Sequence, residues 1–357
     1  MHPRDQRLPT NNIQWLRLGF ALQVLVTHAF GHFGKTLPHV VGNFPGVPAF
    51  FFVSGFLIYA AYLRSSPATY ARNRFLRLFP GLAAVTIGTL AFVLSVRGVD
   101  DLALNPSIYL TWLVSQVTIA QPYNPAIFSD VGIGEMNGAL WTITVEIIFY
   151  ACVPILARIE RRLPHAVIIF TAVSFALYAF RPVLEGVSLG GTRSLYGAMA
   201  LTPIIWGWMF GAGILAYKYF DNVRPWLRYA PWALVPLIAL AMIDNVADPF
   251  VGSRGNSLGL AYFLCYAALI LWVAFDLPRI PLEADFSYGI YIWHMPVFNA
   301  FIEHGHMRPE LAVPAACIAG ALSWYLIENP ANILRVTRGE RVRLLTRRKM
   351  GHHAATF

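Results

Sequence analysis

The chain has 357 residues, of which 57% are hydrophobic and only 13% charged, with a net charge of +9. Its mean hydropathy is +0.54. Soluble domains carry about 25% charged residues, so this composition excludes an ordinary soluble protein and predicts a polytopic membrane protein.

The polar N-terminus MHPRDQRLPTNNIQ runs into an apolar segment without a convincing cleavage site, which reads as a retained first span rather than a signal peptide. Runs of spanning length recur at 13–32, 47–63, 80–96, 141–157, 165–181, 202–219, 230–245, 257–275, 286–302 and 311–328. The segment 106–120 is ambiguous, and charge placement decides it. Counted as a span, it would put Arg158, Arg161 and Arg162 outside. Treating 97–140 as one outer excursion, with 106–120 re-entrant or interfacial, leaves the loops 64–79, 158–164 and 218–228 on the inner side. Asp100, Asp101, Asp130, Glu135, Asp244 and Asp248 then lie outside. The expectation is an all-α bundle of about ten transmembrane spans, with both termini cytoplasmic. A single membrane domain would cover 1–335 and a basic cytoplasmic tail 336–357. That tail region carries Arg335, Arg338, Arg341, Arg343, Arg347, Arg348 and Lys349, suited to anionic lipid heads. No folded basic surface suggests nucleic acid as a partner. Cys152, Cys265 and Cys317 all sit in apolar runs and imply neither a disulfide framework nor metal ligation.

The first span, WLRLGFALQVLVTHAFGH, carries Arg17 and His28. Eleven residues separate them, about 16 Å along a helix axis. Eleven steps of about 100° return close to the starting direction, so both side chains share a face. Ionisable groups on one face of a membrane helix mark a polar cavity and a functional site. Glu146, in WTITVEIIFY, falls at a depth similar to His28, so an imidazole and a carboxylate are expected in one cavity. A carboxylate beside a histidine fixes its tautomer and supports a general base. Ahead of the third span, YARNRFLRLFP places Arg74 and Arg77 at i, i+3 with Arg72 adjacent. Ordinary positive-inside anchoring accounts for such a cluster; so does a phosphate receptor built from planar guanidiniums. His294 is compatible with a packed histidine between helices or with a place in the site.

Taken together, Arg17-x10-His28, FFVSGFLI (51–58), Arg74-x-x-Arg77, NGALWTITVEIIFY (137–150), SYGIYIWHMP (287–296) and IENP (327–330) resemble, in order, the acyltransferase-3 family of membrane enzymes. The resemblance covers nearly the whole chain. One departure is Ile147, which stands where many members carry a second acid and leaves Glu146 alone there. The resemblance implies an acyl-CoA donor, acetyl-CoA first, and an extracytoplasmic glycan or lipid-linked sugar as acceptor, in a bacterial inner membrane. It implies His28 as the general base, assisted by Glu146, with no metal. Arg17, Arg72, Arg74 and Arg77 would hold the coenzyme. Ser54, Asn137, Trp141, Tyr150 and His294 are candidates for contacts to the reacting groups, including the required oxyanion donor. A rival reading makes the polar helix face a translocation path. The absence of an internal repeat counts against a transporter.

Overall fold

The computed structural model describes residues 11–190, 194–243, 248–253 and 255–334. The N-terminal decapeptide, Asp244, Arg335 and the basic tail 336–357 lie outside the described residues. Among those described the chain is helical, with no strand beyond an isolated bridge between Ser188 and Ser194. Among the described residues four helices are long and apolar enough to cross a membrane by length and composition: His39–Leu63, Pro67–Arg97, Gly138–Glu160 and Pro309–Ile333. The other expected spans are helical but shorter or less apolar. Helix α1 (Ile13–His32) has the length, yet Arg17, Gln23 and His28 lower its hydropathy.

Helix α2 (Gly46–Leu63) follows α1. Next comes α3 (Pro67–Arg97), and here the structure corrects the expected loop 64–79. Residues 67–79 are instead the opening turns of a 31-residue helix. Ser66 caps it by accepting from the Thr69 amide, and Pro67 fills the first turn, where a missing N–H costs nothing. At about 46 Å, α3 outruns a hydrocarbon core of about 30 Å, so its basic first turns need not be buried in lipid. It stops at Gly98, whose φ of +82° favours glycine.

The excursion 97–140 holds α4 (Val99–Leu104) and α5 (Pro106–Gln116). Helix α5 has 11 residues, about 16 Å, too short to span. Tyr109 and Trp112 of α5 bury themselves with Val93, Phe128, Val131 and Met136 in a satellite core at the far end of α3. Asn299 staples this cap to the bundle: its Oδ1 accepts from the Ile133 amide (2.7 Å), and its Nδ2 donates to the Glu135 and Met136 carbonyls.

Helices α6 (Trp141–Glu160), α7 (Ala166–Ala179), α8 (Pro203–Lys218), α9 (Leu234–Ala241), α10 (Leu260–Phe275), α11 (Ser287–Glu303) and α12 (Pro309–Ser323) complete the bundle. The tightest crossing is between α2 and α8, and it is reciprocal. A Cβ on Gly55 would come within 2.0 Å of the Phe210 carbonyl oxygen, and one on Gly213 within 2.0 Å of the Phe52 oxygen. Small residues let backbones touch where lipid supplies no hydrophobic drive. Arg17 on α1 and Arg77 on α3 meet Asp285 just ahead of α11, while Arg72 donates to the Leu334 carbonyl. The start of α1, the start of α3 and the end of the span Pro309–Ile333 therefore share one end of the bundle.

Candidate active site

Two cavities enter the bundle along α1. The first lies toward the basic end and is lined by Arg17, Ser54, Arg74, Arg77, Glu146 and Tyr150, with Phe50 and Tyr291 at its inner wall. Arg17 Nη1 donates to Asp285 Oδ2 at 2.5 Å and Arg77 Nη2 to the same oxygen at 3.0 Å. Ser287 Oγ donates to the other carboxylate oxygen at 2.5 Å. Burial opposes ionisation of Asp285, but the Arg17 and Arg77 guanidiniums more than offset it and hold the carboxyl below the usual range. Two cations thus share one anion. Arg74 has no carboxylate in contact; its guanidinium lies over the rings of Tyr150 (5.5 Å) and Tyr70 (6.0 Å), and its Nε is buried without a hydrogen-bond partner. A surplus of positive charge with an unused N–H is what a phosphate or pyrophosphate would complete.

Arg72 faces away. It is exposed and donates to the Leu334 carbonyl, so of the four expected arginines only Arg17, Arg74 and Arg77 converge. The reason is helical: residue 72 points about 160° from residue 74 and residue 77 about 60° from it. Glu146 accepts from Tyr150 Oη at 2.6 Å, one turn along α6. Asn137 and Trp141 are drawn elsewhere. Asn137 Nδ2 donates to the Ile292 carbonyl (2.9 Å), and Trp141 packs on Trp206 and Phe51.

The second cavity opens from the opposite end and is lined by Gln23, Thr27, His28, His39, Pro38 and Asn256, among others. Gln23 shapes its mouth: Nε2 donates to Thr27 Oγ1 (3.0 Å) and the Val41 carbonyl (3.1 Å), while Oε1 accepts from the Gly46 amide (2.6 Å). His28 is half-buried here. Its Nδ1 meets His294 Nε2 at 2.8 Å, and the two rings stack at 5.1 Å. His294 is fully buried and its Nδ1 faces the Ile290 carbonyl at 3.3 Å. The His28 and Glu146 side chains therefore occupy different cavities. The carboxylate lines the cavity with the guanidiniums and accepts from Tyr150; the imidazole pairs with a second imidazole. The cavities are neighbours, since Val47 lines both.

Two features escaped the sequence. Asp285 sits two residues before Ser287, and only the need of buried arginines for a counterion could have flagged it. The His28–His294 contact joins residues 266 apart, which no local pattern encodes. Among the described residues no group of three or more His, Cys, Asp or Glu side chains could hold a metal ion.

Compared with known proteins, residues 10–328 match the acyltransferase domain family, a stretch that runs from ahead of Arg17 to Glu328 within the closing IENP. The chain belongs to this acyltransferase family. It is 31% identical over 350 residues to nodulation protein 10 of Rhizobium leguminosarum bv. viciae, covering 92% of this chain and 94% of that one. An O-acetyl transferase of Shigella phage Sf6 is 24% identical over 332 residues, covering 89% and 95%. A Komagataeibacter xylinus protein described as a membrane-bound transacylase, BcsY, is 25% identical over 313 residues, covering 80% and 76%. No solved structure matches the chain. This acyltransferase is thus a helical integral membrane protein in which Arg17, Arg74, Arg77 and Glu146 line one cavity and His28 lines an adjoining one.

Proposed function

We propose that this acyltransferase moves a short acyl group, acetyl in the first instance, from acyl-CoA to a hydroxyl of a glycan or lipid-linked sugar across a bacterial inner membrane. The observation that carries the reading is the pair of cavities that approach from opposite ends and share Val47. One offers unpaired positive charge; the other offers an imidazole. Arg74 and Arg77 receive the donor's phosphates, with Arg17 further in. The acyl arm extends past Ser54 toward the partition formed by Val47, Phe50 and Tyr291.

His28 accepts the proton of the acceptor hydroxyl as its oxygen attacks the thioester carbonyl. The tetrahedral intermediate collapses, the C–S bond breaks, and the imidazolium returns the proton to the leaving thiolate. The products are the ester and the free thiol of CoA. Glu146 and Tyr150 form a hydrogen-bonded pair on the donor side, where they position the arm rather than the imidazole. The basic end faces the cytoplasm and its anionic lipids. The name of the phage relative, an O-acetyl transferase, agrees with transfer to oxygen.

The test uses purified full-length protein in lipid nanodiscs with acetyl-CoA and oligosaccharide acceptors. Released thiol is followed by absorbance and the ester by mass spectrometry, for wild type, His28→Ala and Glu146→Ala. Undiminished transfer by His28→Ala rejects His28 as the base. In sealed proteoliposomes, flux of acceptor without thiol release points instead to transport.

A further inference from the structure

The base needs one particular nitrogen free, and the histidine pair decides which. Start from the carbonyl of Ile290, which can only accept. For His294 Nδ1 to bond it at 3.3 Å, that nitrogen must carry the proton. Neutral His294 then presents a bare lone pair at Nε2. His28 Nδ1, at 2.8 Å from that lone pair, must donate, so it carries its own proton. The remaining nitrogen, His28 Nε2, is left unprotonated. It has no protein partner among the described residues and is not among the buried orphaned atoms, while its ring lines the second cavity. The opposite assignment would set the lone pair of His294 Nδ1 against the Ile290 oxygen, a repulsive contact that no water can relieve because His294 has no exposure.

We propose that His294 is a positioning residue that locks His28 in the Nδ1–H tautomer, so that His28 Nε2 is the proton-accepting atom and the acceptor hydroxyl binds in the cavity bounded by Gln23, Thr27, His39 and Asn256. This rests on the reading of His28 as the base. It replaces the carboxylate usually paired with such a histidine by a neutral imidazole, itself oriented by a helix carbonyl one turn behind. A neutral partner fixes the tautomer as a carboxylate does but stabilises the imidazolium less. His32 sits 5.9 Å from His28 ring to ring and makes no hydrogen bond to it, so the lock is specific to residue 294. The proton balance is unaffected: Nε2 takes the acceptor proton and gives it to the departing thiolate, while both Nδ1 protons stay in place.

The experiment is 15N NMR of full-length protein labelled at histidine, with His28 assigned by comparison with His28→Gln. The chain has 10 histidines, few enough for this subtraction. Above the titration range of imidazole, His28 Nε2 is expected at the frequency of an unprotonated nitrogen and Nδ1 at that of a protonated one. His294→Leu should abolish this preference and lower kcat with little change in KM, by less than the loss of about 10⁴-fold that follows when the wrong tautomer is imposed outright. His294→Gln keeps an amide oxygen near the position of Nε2 and should restore much of kcat relative to the leucine variant. An Nε2–H tautomer in wild type overturns the proposal without using any variant. So does a His294→Leu protein whose His28 tautomer is unchanged. Full transfer by His28→Ala would instead defeat the underlying reading, whatever tautomer the spectra show.

Discussion

Asp285→Asn removes one charge and almost no volume, and the structure says what it strands. Arg17, Arg77 and Asp285 have side chains 22%, 10% and 8% exposed, so solvent can do little to compensate. The asparagine oxygen still accepts a hydrogen bond, but two neighbouring guanidiniums lose their shared anion. Breaking a buried pair costs about 3–5 kcal/mol. The partial exposure of Arg17 puts the expectation near about 3 kcal/mol. At about 2 °C per kcal/mol, the low end of the range for domains somewhat smaller than this chain, apparent Tm should fall by about 6 °C. The double variant Asp285→Asn/Arg17→Gln should recover part of that loss, because one of the stranded cations is gone. The assay is thermal unfolding in detergent at fixed scan rate, followed by reaction of Cys152, Cys265 and Cys317 with a thiol-reactive fluorophore. The sign in pH also follows. A carboxyl held below its usual value contributes fully above about pH 4 and loses its contribution only in stronger acid. A single variant within about 1 °C of wild type, or a double variant at the sum of the two losses, would refute the account of a shared buried anion.

Three other outcomes are expected. Gly213→Val forces apart the α2–α8 crossing and should cost about 1–3 kcal/mol or prevent accumulation of folded protein, measured by the same unfolding assay; unchanged stability would contradict the close approach to Phe52. Arg74→Ala should raise KM for acyl-CoA at least about ten-fold, as loss of a charge-assisted phosphate contact does. Arg72→Ala, outside the cavity, should leave that KM within about two-fold, and equal effects at both positions would contradict the arrangement. Hydrogen bonds from Arg97 and Tyr109 hold the Asp101 carboxyl down to about 2, so the corner it forms with α4 and α5 should be intact above about pH 4 and loosen as pH falls through about 2. Hydrogen exchange of residues 99–116 reads this, and loosening already at pH 5 would count against it.

The sequence carried what periodicity and charge can carry. The turn angle from Arg17 to His28 and the i, i+3 spacing of Arg74 and Arg77 follow from helix geometry alone; Arg74 and Arg77 line one cavity, whereas Arg17 joins them there and His28 lines the neighbouring one. Charge placement made 97–140 an excursion, and the short α5 agrees with it. What hydropathy misjudged was continuity: Arg72, Arg74 and Arg77 interrupt the apolar run but not the helix, because Ser66 and Pro67 start it and nothing breaks it until Gly98. Depth matching misjudged partners. The expected shared depth put Glu146 with His28, but Glu146 lines the basic-end cavity with Arg17 and Arg77; which side chains meet across a bundle depends on helix tilt and rotation, which a 20-residue segment does not fix. Asp285 lay hidden for the same reason, as a loop acid with no pattern around it.

The partition between the two cavities has a consequence for the membrane that holds it. Phe50 packs edge-on against Phe20 and Tyr291 at 5.5 and 5.7 Å, and Tyr291 against His294 at 5.9 Å. A hollow open from both faces would let ions run down their gradient, whereas interlocked rings keep the bilayer electrically tight between turnovers. On the proposed reading, the same few side chains part just enough to pass a thin thioester arm. Their bulk therefore sets both the leak of the resting protein and the speed of handover, and trimming them should trade one against the other.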